Sequence, residues 1–183
     1  MHPHIERVLC TESEIQARIA DLAVEISGRL GDEPLTVVGV LNGAVVFVSD
    51  LIRHLRAPLE LAFVSASSYR GGTTSGALEL DFLPKRSSIE GRRVLLVDDI
   101  LDTGKTMRAL MDEFRGNGAA EVFGCVLLDK PSRRVVDCGA EFVGFSIEDA
   151  FVVGYGLDYR GLYRNLPYIG VLKPEHAAAA ASN

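Results

Sequence analysis

Hydrophobic residues along the chain alternate between two spacings, one typical of strands and one typical of helices. The mainly apolar segments of strand length lie at 35–41, 59–66, 94–97, 121–128 and 141–147. The clearest helix lies between Thr11 and Gly31, where Thr11 and Glu14 form a capping box ahead of an apolar face. Apolar runs without alternation are typical of strands covered on both faces. The pattern therefore predicts strand, loop and helix units of a parallel sheet.

Three acids follow the apolar run at 94–97. Asp98, Asp99 and Asp102 come before the small polar turn 103–106, and a helical pattern comes after it. Loops at the carboxyl ends of parallel strands hold ligands, and amide donors at a helix start suit phosphate. Carboxylates this close repel one another unless they are solvated or bound to a cation. We expect a site for Mg²⁺ and a phosphorylated sugar, and a merely solubilising loop is the plainer alternative.

A kinase-type P-loop is a rival interpretation of the same stretch. Gly104-Lys105-Thr106 matches the end of the motif G-x-x-x-x-G-K-S/T. Asp99 stands at the position of the first glycine, where its carboxylate would repel the phosphates that such a loop holds. A P-loop kinase is therefore the least favoured reading of the loop.

Composition limits the partners and the compartment. The 183 residues are 48% hydrophobic, enough for one domain with its own core. A net charge of −6 argues against broad nucleic-acid binding, which needs a basic face. The three cysteines suit neither a zinc site nor a disulfide framework, and no apolar run reaches the ~18 residues of a membrane-spanning helix. We expect a cytoplasmic enzyme with no nucleic-acid or membrane partner.

The apolar strand, the acid pair and the string Asp102-Thr103-Gly104-Lys105-Thr106 resemble the signature of the type I phosphoribosyltransferases. In that family the loop binds the 5-phosphate and ribose hydroxyls of phosphoribosyl pyrophosphate (PRPP). Thr103 and Thr106 offer hydroxyl donors for such a ligand, and Gly104 lets backbone amides approach an oxyanion. The resemblance implies that the acid pair, Asp98 and Asp99, accepts from ribose hydroxyls or holds Mg²⁺.

The resemblance gives Asp102 a separate role from the acid pair. It implies that Asp102 is the general base that takes a proton from the purine. The alternative is that Asp102 caps the helix predicted to begin near Thr103, because aspartate is a favoured N-cap residue. Replacement by asparagine distinguishes the two roles.

Two further turns resemble parts of the same family. Asn42-Gly43 stands where the family has a pyrophosphate-binding turn, with Asn42 in place of the usual basic residue, so only amide donors are carried over. A hairpin is the alternative meaning of Asn-Gly. Ser68-Tyr69 opens a long glycine-rich segment that resembles the catalytic flexible loop of the family, with Arg70 where a glycine is more usual. An ordinary hairpin connection is the alternative there.

The second half of the chain resembles the hypoxanthine-guanine branch of the family. The resemblance rests on Lys130 and on the string from Phe151 to Tyr168. It implies that Phe151 stacks on the purine, that the backbone of Val152 bonds to the base edge, and that Lys130 donates to the 6-oxo oxygen. An ammonium donates to a carbonyl oxygen but cannot accept from an amino group, which favours 6-oxopurines.

Other residues near these motifs have less specific meanings. The resemblance implies that Asp158 helps to hold magnesium and that Arg164 lies near pyrophosphate. Ala150 stands where relatives often have lysine. Arg133 and Arg134, taken by themselves, predict a solvated basic turn.

The predicted fold is α/β, a doubly wound, mainly parallel sheet of the type I phosphoribosyltransferase kind. We expect one domain over 1–183, with a core at about 35–147 and a disordered tail at 173–183. The resemblance, which covers about 8–172, adds a small hood from about 1–30 and 148–172.

The predicted reaction transfers the 5-phosphoribosyl group from PRPP to N9 of hypoxanthine or guanine. The products are IMP or GMP and pyrophosphate, as in purine salvage, and the resemblance implies Mg²⁺ and a homodimer or homotetramer. A xanthine-preferring transferase shares every motif and stays an alternative. So does a noncatalytic nucleotide- or RNA-binding regulator on the same fold, which the acidic balance disfavours.

Overall fold

The structure is a computed structural model that describes residues 1–68 and 78–177. Strands and helices alternate along that length. In chain order they are β1 (Ile5–Cys10), α1 (Glu12–Leu30), β2 (Leu35–Leu41), α2 (Val45–Leu51), β3 (Leu59–Ser68), β4 (Leu78–Asp81), β5 (Arg93–Leu101), α3 (Lys105–Gly116), β6 (Glu121–Asp129), β7 (Phe142–Ser146), β8 (Val152–Val153), β9 (Ile169–Leu172) and α4 (Pro174–Ala177). Short 3₁₀ turns lie at Arg86–Ser88 and Pro131–Arg133.

The main sheet has the strand order β4-β3-β2-β5-β6-β7. Five of its strands pair in parallel, and β4 pairs antiparallel to β3 at the edge. Neighbouring residues of a strand point to opposite faces, so Val37 and Leu95 pack with α1 and α2 while Val38 and Leu96 pack with α3. Helices therefore cover both faces, and the predicted doubly wound, mainly parallel sheet is confirmed.

The chain leaves two adjacent strands in opposite directions. It passes from β2 into α2 on one face and from β5 into α3 on the other, while β2 and β5 pair side by side. The loops that follow these strands diverge, and a crevice opens between them at the carboxyl edge of the sheet. This crevice is where an open α/β sheet binds its ligands.

A small antiparallel sheet of order β1-β9-β8 forms the hood. Val152, Tyr155 and Leu157 from the hood segment share one core with α1 and α2. The prediction assigned all of 1–30 to the hood, whereas only β1 of that segment joins the hood sheet and α1 packs against β7 and α2. Of the predicted tail, 174–177 forms α4, and 178–183 lie outside the described residues.

Local sequence patterns account for the helix ends. The capping box predicted at Thr11 and Glu14 is present at the start of α1, and Gly31 ends that helix. In α3 the residues Met107, Leu110 and Phe114 are buried on one face. Within the described part of the chain, none of the helices has the length and apolar character needed to cross a bilayer.

Two predicted boundaries near the acids differ from the structure. Asp98 and Asp99 were expected in a loop, but β5 continues to Leu101 because its pairing with β6 extends that far. The following helix begins at Lys105 with Gly104 as its N-cap, so Asp102 is not the cap. The alternative structural role of Asp102 is therefore wrong.

Two predicted turns are also resolved by the topology. Asn42-Gly43 connects β2 to α2, so it is not a hairpin turn. The glycine-rich segment connects two antiparallel strands, β3 and β4, and β4 was not predicted.

Candidate active site

Two acids lie side by side in the last part of β5. Asp98 is 9% exposed, and the backbone amide of Asp99 donates to its Oδ1 across 2.9 Å. Burial raises the pKa of Asp98, and the charge of Asp99 raises it further. Burial also raises the pKa of Asp99, against the opposing effects of hydrogen bonds and of the charge on Arg164. The pair forms a dry site that a cation would stabilise.

Residues 102–106, here called the β5–α3 loop, lie against a cavity of about 330 Å³. Thr103, Gly104 and Thr106 are among its lining residues. Gly104 has a φ of 84°, a left-handed conformation that glycine adopts without strain, and α3 begins directly after it. The first N–H groups of a helix have no acceptors within the helix and carry partial positive charge. This cavity is therefore suited to an anion such as phosphate.

The turn at Asn42 and Gly43 lies directly against the acid pair. A Cβ added to Gly43 would lie 1.7 Å from Oδ2 of Asp99, so the close packing requires glycine. Gly156, in the segment after β8, approaches from the hood, and a Cβ there would lie 2.1 Å from the carbonyl oxygen of Gly43. The turn after β2, the Asp99 carboxylate of β5 and the hood backbone at Gly156 therefore meet at one point of the crevice.

A second cavity of about 400 Å³ lies between the main sheet and the hood. Its lining residues are Asp99, Ile100, Asp102, Lys130, Arg133, Asp149, Phe151, Val152, Leu157 and Asp158. Lys130 is 8% exposed and donates from Nζ to the carbonyl oxygen of Ala150 across 2.7 Å. Phe151 is 48% exposed despite its size, and its ring meets that of Tyr159 edge-on with centroids 5.4 Å apart. An ammonium and an accessible aromatic ring in one cavity suit a flat ligand with a carbonyl acceptor.

Asp102 lines both cavities. Its Oδ1 accepts from Nε of Arg133 across 3.1 Å, and Arg133 also lies 3.7 Å from a carboxylate oxygen of Asp149. Asp149 in turn lies 3.7 Å from Nζ of Lys130. A line of alternating charges therefore joins Asp102 to Lys130 along the wall of the second cavity.

The basic turn after β6 is not the solvated turn that was predicted. Arg133 pairs with Asp102, and the side chain of Arg134 is only 18% exposed. Arg134 donates to the carbonyl oxygens of Leu101 and Asp102 and to the carboxylate of Asp129. The side chain of Arg133 is 48% exposed, so the prediction was wrong mainly for Arg134. The reason is that β5 and β6 are neighbours, so the turn after one strand folds against the loop after the other.

Asp158 and Arg164 form an ion pair within the hood segment. Nη2 of Arg164 lies 2.7 Å from Oδ1 of Asp158, and the amide of Gly161 donates to Oδ2 across 2.6 Å. Nη1 of Arg164 donates to the carbonyl oxygen of Gly156 across 2.6 Å. Arg164 therefore fixes the hood segment at the crevice, and a cation that binds Asp158 has to compete with this pair.

The residues expected in the flexible loop are only partly described. Ser68 is the last residue of β3, and Tyr69 lies outside the described residues. Their catalytic roles stay predictions.

Comparison with known proteins assigns the chain to a family. The family model of the phosphoribosyl transferase domain matches residues 11–160. The chain belongs to the phosphoribosyltransferase family. The hypoxanthine-guanine phosphoribosyltransferase of Bacillus subtilis is 46% identical over 174 residues, covering 95% of this chain and 97% of its own length. The protein of the same name from Staphylococcus aureus is 44% identical over 175 residues, covering 96% and 98%.

Solved structures of phosphoribosyltransferases agree with this placement. The crystal structure of a hypoxanthine phosphoribosyltransferase from Staphylococcus aureus superposes with a TM-score of 0.89 at 42% identity and covers 96% of both chains. The resemblance drawn from the motifs is confirmed, and so are the type I fold and the assignment to the hypoxanthine-guanine branch as an enzyme.

The acid pair of this phosphoribosyltransferase fits a magnesium ion. Mg²⁺ binds through one or two carboxylates together with water and substrate phosphates, and Asp98 and Asp99 offer two carboxyl groups beside the anion cavity. Among residues 1–68 and 78–177, three or more acidic, histidine or cysteine side chains do not gather as a metal cage. A magnesium ion at the acid pair would complete its coordination with water and substrate phosphates.

Several residues of the site were missed by sequence reasoning. Arg133, Asp149, Ile100 and Leu157 line the second cavity but were not candidates. Asp149 follows a strand without any motif, and only its place two residues before Phe151 could have suggested it. The adjacent pair of arginines was visible, but the partners of Arg133 depend on tertiary contacts.

Proposed function

We propose that this phosphoribosyltransferase transfers the 5-phosphoribosyl group of PRPP to N9 of hypoxanthine or guanine and releases pyrophosphate. The observation that carries the proposal is the position of Asp102, which lines both the anion cavity and the cavity with Lys130 and Phe151. A group at that junction can reach the atoms of a base and a sugar phosphate bound on either side. The names of the 44–46% identical relatives support the same substrates.

The sugar phosphate belongs in the anion cavity. Amides of the β5–α3 loop and the hydroxyls of Thr103 and Thr106 donate to the 5-phosphate, with Lys105 at the helix start adding positive charge nearby. Asp98 and Asp99 accept from the ribose hydroxyls or contact the metal. The pyrophosphate lies at the Asn42-Gly43 turn.

The hood side of the crevice completes the pyrophosphate site. Arg164 is held beside the turn by its bonds to Gly156 and Asp158, and its charge already acts on Asp99. Release of Arg164 from Asp158 would free the guanidinium for pyrophosphate and the carboxylate for magnesium. The proposed metal ligands are therefore Asp98, Asp99 and Asp158.

The purine belongs in the second cavity. Phe151 stacks on the ring, the backbone of Val152 bonds to the base edge, and Lys130 donates to the 6-oxo oxygen while it keeps its bond to Ala150. Adenine carries an amino group at that position, and its N–H groups would face an ammonium that has no lone pair. The cavity therefore selects 6-oxopurines.

Displacement at the anomeric carbon passes through an oxocarbenium-like state, so the site must stabilise the departing pyrophosphate. Bound Mg²⁺ would neutralise the charge that develops on the pyrophosphate oxygens. Asp102 takes the proton that the purine loses as N9 bonds to the sugar. Ser68 and Tyr69 belong to the segment that we propose closes over the reacting centre and excludes water.

The test is the replacement Asp102→Asn together with a base screen. Pyrophosphate release is measured with PRPP, Mg²⁺ and each of adenine, hypoxanthine, guanine and xanthine. We expect release with hypoxanthine and guanine, and turnover reduced about 10²–10⁴-fold in the variant with an unchanged Kd for PRPP. Equal turnover would remove Asp102 as the base, and release with xanthine alone would favour the xanthine-preferring alternative.

The proposed assembly and location are those expected from the sequence. We propose a homodimer or homotetramer in the cytoplasm that binds no nucleic acid. Sedimentation velocity at several protein concentrations measures the assembly, and a monomer at all concentrations would contradict it.

A further inference from the structure

Arg134 lies beneath the β5–α3 loop rather than in either cavity lining. Its guanidinium has three oxygen acceptors, from the end of β5, from the loop and from the end of β6. Nη1 donates to the carbonyl oxygen of Leu101 across 3.1 Å and to that of Asp102, and Nη2 donates to the carboxylate of Asp129. The side chains of Arg134 and Asp129 are 18% and 17% exposed. This is a shielded contact rather than a surface ion pair.

The carbonyl groups of residues 101–104 all accept hydrogen bonds from the protein. The carbonyl of Leu101 accepts from the guanidinium of Arg134 and from the amide of Lys130, and the carbonyl of Asp102 accepts from the same guanidinium. The carbonyl of Thr103 accepts from the amide of Val135 at 3.1 Å, and that of Gly104 accepts from the amide of Arg108 at 3.0 Å. In a trans peptide the carbonyl and the following N–H point in opposite directions. The amides of residues 102–105 therefore point away from these donors. The amide of Lys105 has Oγ1 of Thr103 at 3.5 Å, and Asp102, Thr103 and Gly104 line the anion cavity.

The stem of Arg134 also restricts the turn of the loop. A Cβ added to Gly104 would lie 2.9 Å from Cδ of Arg134 and 3.0 Å from Cγ2 of Val136. Gly104 is the residue whose left-handed φ of 84° turns the chain into α3. The arginine therefore packs against the turn and bonds to the carbonyls on either side of β5's end.

The chemistry of the side chain suits this position. A guanidinium is planar and presents several donors in a fixed fork, whereas an ammonium is a point charge on a flexible stem. Asp129 neutralises the guanidinium, and all its observed partners lie on the protein side of the loop. These contacts leave Arg134 turned to the backbone and not to a bound phosphate.

We propose that Arg134 is a positioning residue for PRPP. It bonds to the carbonyl oxygens of Leu101 and Asp102 and so keeps the amides of Asp102 and Thr103 turned toward the 5-phosphate. The inference rests on the proposed function for its substrate. Loss of the fork allows these peptides to rotate, so the phosphate site loses its prearranged donors. The purine cavity does not use these amides, so the two substrates should be affected differently.

The experiment compares Arg134→Gln and Arg134→Lys with wild type. Arg134→Lys keeps the charge without the fork, and Arg134→Gln keeps one amide donor group without the charge. Arg86→Met is the matched control, because Arg86 is an exposed arginine that pairs with Glu90 away from both cavities. Initial rates give the KM for PRPP, the KM for hypoxanthine and kcat, and calorimetry with ribose 5-phosphate gives phosphate affinity without turnover.

We expect both Arg134 variants to raise the KM for PRPP and the Kd for ribose 5-phosphate about 10–100-fold, with the KM for hypoxanthine within about twofold of wild type. The control should match wild type. Two outcomes overturn the proposal: unchanged ribose 5-phosphate affinity in folded variants, or an equal loss for both substrates. If Arg134→Gln does not fold, Arg134→Lys alone tests the proposal, and the same two outcomes overturn it.

Failure of the proposed function gives a different result. Wild type would then release no pyrophosphate with any base, while the affinity for ribose 5-phosphate would still report on Arg134. The same measurements therefore distinguish failure of the proposed function from failure of the proposed role of Arg134.

Discussion

At the residue scale, the acid pair of Asp98 and Asp99, which we propose as metal ligands, lowers the stability of the fold because it is buried. Asp98 is nearly inaccessible, and burial followed by the charge of Asp99 raises its pKa. A carboxyl whose pKa is higher in the folded than in the unfolded state stabilises the fold below the unfolded pKa, and that contribution is lost as pH rises through the folded value. At neutral pH without a cation the pair therefore weakens the fold.

Replacing Asp98 by asparagine should make this cost measurable. In EDTA at pH 8 we expect Asp98→Asn to raise Tm by about 2–4 °C or more, because the variant has no carboxylate to bury. The advantage should shrink as pH falls below the unfolded pKa, where the wild-type carboxyl is neutral in both states. Thermal unfolding followed by circular dichroism across pH is the measurement, and activity should be lost at every pH. A variant less stable than wild type at pH 8 would contradict the argument.

Sequence reasoning found candidates that lie in recognisable strings and missed residues whose partners are distant in the chain. Lys130 directly follows β6 and Phe151 directly precedes β8, and both line the second cavity. Arg134 looked like a solvent residue, because nothing in its neighbourhood shows that carbonyls of β5 lie above it. Its three acceptors meet only after β5 and β6 pair.

At the element scale, three segments meet at two glycines that have no room for a side chain. Gly43 lies against Asp99 on one side and against Gly156 on the other. Tyr155, next to Gly156, is 4% exposed and donates from its hydroxyl to Asp50 of α2. Burial, followed by the hydrogen bond to Asp50, raises the pKa of Tyr155, so the hydroxyl stays protonated as a donor. The hood segment is therefore anchored to the helix that follows the Gly43 turn.

Gly43→Ala should disrupt this convergence. The new Cβ would have to displace the Asp99 carboxylate or the turn itself, since it would lie 1.7 Å from Oδ2. We expect kcat/KM for PRPP to fall about 10²-fold or more. Gly116→Ala at the end of α3 is the control, because nothing lies within 4 Å of its added Cβ, and it should leave activity unchanged. Steady-state kinetics that show equal activity for the two variants would refute the packing argument.

Tyr155→Phe tests the anchor of the hood. Loss of the bond to Asp50 should destabilise the protein by about 1–2 kcal/mol, and the KM for PRPP should rise several-fold as Gly156 loosens from Gly43. Tyr163→Phe is the comparison, since the Tyr163 hydroxyl bonds to His4 within the hood and terminal region across 2.7 Å. Urea unfolding and initial rates together decide it: a KM that changes equally in both variants would show that the anchor has no special role.

Most helices and strands could be predicted from the sequence, but short strands that depend on distant partners could not. β2 and β6 are long apolar runs, and the cap of α1 is a local motif, so each could be placed from sequence. β1, β4 and β9 were not predicted, because they are short strands that owe their existence to pairing with distant partners.

At the scale of the whole molecule, substrate and metal should stabilise the fold together. The acid pair lowers stability when it lacks a cation, so Mg²⁺ and PRPP at about 100 times Kd should add about 2.7 kcal/mol, or roughly 5–10 °C in Tm. PRPP in EDTA should give much less. Differential scanning fluorimetry measures both, with Asp102→Asn expected to behave as wild type. An equal shift with and without the metal would argue against the acid pair as its site.

The hood sheet has β9, the last strand of the described residues, in its middle. β9 pairs with β1 on one side and β8 on the other, whereas every strand of the main sheet lies before residue 147 in the chain. A nascent chain can therefore pair the strands of the main sheet before β9 is available to pair with β1, which lies more than a hundred residues earlier in the chain. Translation order therefore leaves the hood side of the crevice, with Phe151 and Arg164, until after the strands of the main sheet.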